Sequence, residues 1–181
     1  FTFQFFEKEV LEDGFYLLKG PNWTVDSINS KEKFTVNIES SGEYLLDTKL
    51  TAGDEIKVVY VANQAITGWY PDGIGTQYTV DEAHAGNVTI FFKPDWVEDW
   101  RPFGGYFYIA QSYSLWCMPS EHGLASTTVN RAPKDTKITV TIQPEEGYEL
   151  NTLTAMCGET ALTLTQVSET AYTFIMPASH V

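Results

Sequence analysis

A chain of 181 residues, 43% of them hydrophobic, is long enough for one large domain or two small ones and carries the apolar material for real cores. Its 24 acidic against 11 basic residues leave a formal charge of -13, which repels the phosphates of nucleic acids and anionic lipid headgroups and so argues against both as partners. No apolar run approaches the roughly 20 residues of a membrane helix, so no membrane insertion is expected.

The opening FTFQFF alternates as a strand does and leads into the acidic connector EKEVLED. Residues 1–11 therefore read as a strand and connector from an upstream module, or as the first strand of the module that begins at residue 12. The chain starts at Phe1 without a Met or a basic leader, so it is expected to be a piece of something longer, with flanking modules of the same polypeptide as neighbours. From there on, apolar residues recur with period two. Phe34, Val36 and Ile38 do so in KFTVNI, Ile56, Val58 and Tyr60 in DEIKVVYV, and Val88, Ile90 and Phe92 in NVTIFFKP. Ile138, Val140 and Ile142 in KITVTI and Tyr172, Phe174 and Met176 in AYTFIM repeat the pattern. Each stretch predicts a half-buried strand. Turn formers separate them: SSGE, TAGD, PDGIG, HAGN, PEEGY and CGET. No helical period lasts beyond a turn or two. The expected fold is all-β, as antiparallel sandwiches. A shift from aromatic-rich to Thr-rich sequence near residue 111 divides the chain into modules at 12–110 and 111–181.

In the first module, GFYLLKGPNWTVD, KLTAGDEIKVVYV and AITGWYPDG resemble the immunoglobulin-like starch- and glycogen-binding modules. The matching positions are Tyr16, Leu17, Gly20, Asn22 and Trp23, then Leu50, Gly53, Lys57 and Val58, then Trp69 and Asp72. GPNW is shorter than the family's loop, and the segment from Gly73 to Trp100 has no counterpart in it. The resemblance implies an immunoglobulin-like sandwich in which Trp23 and Trp69 form a sugar platform. An exposed indole covers the C–H face of a pyranose while amides and carboxylates take its hydroxyl rim. Asn22, Asp72 and Gln77 are the near rim candidates and Lys57 a more distant one. At about 25 cal/mol per Å² two such rings support an affinity on the order of 0.1 to 1 mM. The bland alternative is that WYP caps the end of a sandwich. Trp69 and Tyr70, adjacent in a strand, point to opposite faces, so one ring is expected in the core and the other outside. Trp96 and Trp100 read as a loop packed on a sheet edge.

Chemistry is not expected of this chain. No pair of carboxylates is placed for glycosidic hydrolysis, and no nucleophile elbow or phosphate loop is present. His84, His122 and His180 have no metal-ligand spacing and read as surface residues; no cofactor or metal is implied. Cys117 and Cys157 are compatible with a bridge or with two small buried hydrophobes.

The second module, from YSLWCMP to MPASHV, resembles a bacterial extracellular repeat of about 70 residues. His122, Gly123, Ala132, Ile138, Val140, Pro144, Gly147, Tyr148, Leu150, Tyr172, Phe174, Met176, Pro177, Ala178 and Val181 match its pattern in order. Asp135 stands where a Gly is usual, and His180 where an acidic residue or Asn is usual. The expectation is a scaffold, with Gly147 at positive φ, Tyr148 folded back over the sheet and Pro177 ending a strand. The repeat usually adds one more strand after Met-Pro-Ala, and its absence would leave an edge open to strand exchange.

Together these imply a non-catalytic carbohydrate-binding module, its ligand an α-glucan-like polysaccharide or oligosaccharide, in a secreted or surface-attached bacterial protein. The alternative is a structural or adhesive spacer array with no glycan ligand. A third reading is an accessory piece of an extracellular glycosidase.

Overall fold

The computed structural model describes residues 10–38, 40–70, 77–95 and 105–181. FTFQFF, the PDGIG turn with Asp72, and Trp96 and Trp100 lie outside the described residues. The protein is all-β, built of antiparallel sheets in sandwich-like packing, with three one-turn 3-10 segments among the described residues. It divides into two units, one running through Gly86 and resuming at Ile90–Ile109, the other gathering Asn87–Thr89 and Ala110–Val181.

In the first unit β1 (Gly14–Lys19), β2 (Thr35–Val36), β3 (Tyr44–Leu50), β4 (Glu55–Ala62), β5 (Ala65–Tyr70), β6 (Tyr78–Thr79), β7 (Gly86–Lys93) and the start of β8 (Tyr106–Ser114) form two sheets. One runs β1-β4-β5 with β6 also on β4, the other β8-β7-β3-β2. Aromatic rings join their facing sides. Phe15 of β1 lies 4.8 Å from Tyr44 and 5.1 Å from Phe92, and Tyr70 of β5 lies 5.0 Å from Phe92. Edge-to-face rings at such separations add to the stabilisation from area alone.

The alternation in DEIKVVYV predicts a half-buried strand, and here the structure differs. Ile56, Val58, Val59 and Val61 are all essentially inaccessible. One face of β4 meets the aromatic core. The other is covered by Leu11, Ile28, Trp23 and Val25, contributed by the chain before β1 and by the segment between β1 and β2. A strand buried on both sides reads as a continuous apolar run. A turn with positive φ at Asn63 and Gln64 joins β4 to β5, and the Gln64 side chain bonds both main-chain groups of Leu11, holding that residue over the sheet. KFTVNI also departs from its pattern. Phe34 is buried, but Val36 and Ile38 are exposed, because β2 is two residues long and the chain turns back at Asn37, whose N–H bonds Glu43.

The second unit contains the end of β8, with β9 (Gly123–Thr127), β10 (Arg131–Pro133), β11 (Lys137–Pro144), β12 (Met156–Cys157), β13 (Thr160–Ala161), β14 (Thr165–Ser168) and β15 (Ala171–Ile175). The main sheet runs β14-β15-β11-β9. KITVTI behaves as its pattern demands, with Ile138, Val140 and Ile142 inside and their neighbours outside. Phe174 and Met176 join them in one core with Leu115 and Ala132. The Arg131 guanidinium donates to the Ser112 carbonyl at 2.6 Å and the Ser114 hydroxyl at 2.6 Å, fixing β10 to β8.

Both departures from the repeat pattern have a physical explanation. Asp135 has φ +67, the left-handed region that favours glycine, and Asp is among the few side chains that tolerate it. Its N–H donates to the Met176 carbonyl at 2.8 Å, so this turn closes the core. Asp135→Gly is expected to stabilise the protein by about 0.5 kcal/mol and Asp135→Ala to destabilise it by about 1 kcal/mol, read as urea midpoints. Loss of the exposed Lys134 ion pair at 3.6 Å offsets little of the gain. His180 accepts the Ser114 N–H at Nδ1, 2.9 Å away. An aspartate or asparagine offers an acceptor too, so the histidine preserves the bond with a different atom. Beside it, Val181 N–H donates to the Ser114 carbonyl and Trp116 N–H to the Val181 carbonyl, both at 3.0 Å. These two bonds straddle Leu115 in the manner of a parallel ladder.

Gly147 has φ +87, as PEEGY predicts. Tyr148 does not bury its ring over the sheet. It is 52% exposed and stacks on the His122 imidazole at 3.9 Å.

Candidate functional site

Three surfaces qualify by residue type. The first is the indole pair. Trp69 pairs with Val59 across β4 and β5, and its ring borders the cluster of Leu11, Tyr16, Leu18, Ile28, Val59 and Val61. Trp23 borders the same cluster. Its indole lies against Gly20, where an added Cβ would come within 2.8 Å of Cζ2, so the Gly of GPNW makes room for the ring. Both indoles are half-buried and share one apolar cluster on the outer face of the β1-β4-β5 sheet. The contacts they make there are those of a lid on aliphatic side chains.

The remaining candidates scatter. Lys57 is 3% exposed, its ammonium 5.8 Å from the Trp69 ring centroid, so its stem is part of the packing. Gln77 is half-buried and donates to Glu55 Oε1 at 3.1 Å. Asn22 is exposed. Asp72 lies outside the described residues. Tyr70 points the other way from Trp69, between Phe15 and Phe92, and burial, followed by the Asp95 charge and Tyr60, raises its phenol above the usual tyrosine range. Of the seven, the structure brings Trp23, Trp69 and Lys57 to one sheet face.

A second aromatic group, which no pattern in the sequence marks, stands on the outer side of the β8-β7-β3-β2 sheet. Phe91 and Tyr108 stack at 4.7 Å and Tyr106 lies 6.0 Å from Tyr108. Desolvation raises the Tyr108 phenol, with smaller contributions from Glu43 and Tyr106. The stacked pair turns one face of each ring toward the other.

The histidines are engaged in local bonds. His84 is half-buried, its Nδ1 2.7 Å from Asp81 and 3.1 Å from the Tyr78 hydroxyl. His122 stacks on Tyr148 and stands 3.4 Å from Glu145. Cys117 is exposed and Cys157 half-buried, and no bond joins them; neither is a buried hydrophobe.

The third surface is a cleft of about 680 Å³ in the second unit. Trp116, Met118, Leu124, Tyr148 and Met156 line it above a floor that includes Phe174 of the core. Its signal in the sequence is SLWCMP, a run of large apolar residues in a Thr-rich module. That run lies outside the repeat pattern, so the resemblance draws no notice to it.

The ladder at Val181, the positive-φ turn at Gly147 and the closure of the core by Met176 belong to one stretch of the second unit. Residues 113–181 match the family model of the divergent InlB B-repeat domain. The B-repeat is a repeat of bacterial extracellular or surface proteins. The matched stretch includes the cleft-lining Trp116 and Met118 as well as the core residues Ile138, Val140, Phe174 and Met176. No curated protein and no solved structure matches the chain.

Proposed function

We propose that this chain is a non-catalytic spacer and adhesive segment of a bacterial surface protein, and that its partners are polypeptides. The match of residues 113–181 to the B-repeat supports the surface-protein context. The observation that favours the adhesive reading over a glycan platform is the placement of Trp23 and Trp69 against one aliphatic cluster. Rings engaged in closing a core leave less flat apolar face for a pyranose, and two free faces already support only weak affinity.

The competing sugar reading keeps the solvent-facing part of those indoles as its support. Titration with maltooligosaccharides, other glucans and xylans, followed by tryptophan fluorescence, separates the two. No saturable change is expected up to about 10 mM, ten times the weakest affinity a two-ring platform implies. A saturable shift that disappears in Trp69→Ala or Trp23→Ala would overturn the adhesive reading.

A further inference from the structure

We propose that the open side of β9 takes up an extended polypeptide segment in which apolar residues alternate with basic ones. The inference rests on the adhesive reading and names the partner. Among the described residues β9 stands at the end of the β14-β15-β11-β9 order, and beyond Gly123, which is bridged to Ser120, its outer edge presents main-chain groups to an added strand. Gly123, Leu124, Ala125 and Thr127 of that strand line the cleft.

The cleft gathers apolar surface that folding left outside. Trp116 is 65% exposed, Met118 79% and Leu124 65%, and Tyr148 and Met156 line the same hollow. Apolar side chains collected in one concavity mark an interaction surface, whereas the same residues scattered singly would need no account. Methionine and tryptophan suit a peptide partner, since they offer large adaptable contact area.

Charge selects the class of peptide. Glu121 and Glu149 are exposed among the lining residues, and Glu145 is held beside them by His122. Among the described residues, no Lys or Arg lines the cleft. An added strand turns alternate side chains to opposite sides, and in the proposed pose one row meets Trp116 and Met118 and the other the carboxylates that share the cleft. Apolar residues fit the first row and Lys or Arg the second. A second copy of this chain is a poor occupant, because two chains of charge -13 repel.

The test uses the whole chain and labelled short peptides of alternating Val and Lys, followed by fluorescence anisotropy. Two companions are a Val/Glu peptide and the Val/Lys peptide methylated on alternate main-chain amides. The Val/Lys peptide is expected to bind in the range of about 10–100 μM, weakening as salt rises. Each companion is expected to bind at least about tenfold more weakly, a loss of about 1.4 kcal/mol. Trp116→Ala and Met118→Ala, both at exposed positions, should cost about as much, with unchanged circular dichroism, while Tyr108→Ala in the first unit changes nothing.

Equal binding of the Val/Glu peptide, or binding undiminished by methylation or by Trp116→Ala, would overturn the proposal. So would the absence of peptide binding, or a concentration-dependent dimer in sedimentation that Trp116→Ala abolishes. Peptide binding that fails while glycans also stay silent sinks this inference alone, whereas a saturable glycan response sinks the adhesive reading itself.

Discussion

Phe92→Ala is expected to lower unfolding stability by about 3–5 kcal/mol, seen as a large fall in urea midpoint or loss of the folded state at 37 °C. Phe92 is wholly inaccessible and touches rings of three other segments, Phe15 at 5.1 Å, Phe34 at 5.9 Å and Tyr70 at 5.0 Å. Truncation removes the transfer gain of the ring and leaves a cavity walled by rigid aromatics. Rings that reach in from different strands close such a cavity poorly, and so the upper part of the range applies. Phe92→Leu, which retains most of the volume, should lose much less. A midpoint for Phe92→Ala within experimental error of the parent would contradict the packing described.

The second large effect belongs to Gly105→Ala, at about 2–5 kcal/mol. Gly105 has φ +102, where side-chain-bearing residues are strained. A Cβ there would also overlap Cδ1 of Tyr70, with Cγ and Cε1 of the same ring at 3.2 Å. The ring has little room to retreat. Phe15 and Phe92 flank it, and at Gly68 a Cβ would already meet Cε2 at 3.3 Å. Gly53→Ala separates the two causes. Gly53 has φ +91 and nothing within 4 Å of an added methyl, so only backbone strain of about 1–2 kcal/mol remains. Equal losses in the two variants would mean that Tyr70 yields after all.

What could be read from the sequence depends on how far each signal reaches. KITVTI was legible because one face of β11 meets the core and the other meets water, a local two-sided pattern. β4 was not, because its second buried face depends on a cover that arrives from residues 11–28, and no local period encodes that. The Asn63-Gln64 turn carries no glycine to mark it, although Asn tolerates positive φ well. KFTVNI has the period of a strand but sits at a sheet edge, where Val36 and Ile38 have no second sheet to meet.

The same limit governs the sites. Trp23 and Trp69 could be identified as a pair of indoles, and the opposition of Trp69 to Tyr70 followed from strand geometry. Their position around one aliphatic cluster could not be read, since Leu11, Leu18 and Val59 come from three separate segments. Trp116 and Met118 illustrate the converse. The residues that carry the resemblance begin at His122, so two exposed residues ahead of it draw no signal from that pattern.

The bonds around Leu115 bear on how the second unit would carry load. Tension entering through Tyr113 and leaving through Val181 runs along the two facing segments, not across them. The Ser114 to His180 bond and the two bonds between Val181 and Ser114 and Trp116 would then be sheared together instead of being peeled one at a time. Such an arrangement resists pulling better than its few bonds suggest.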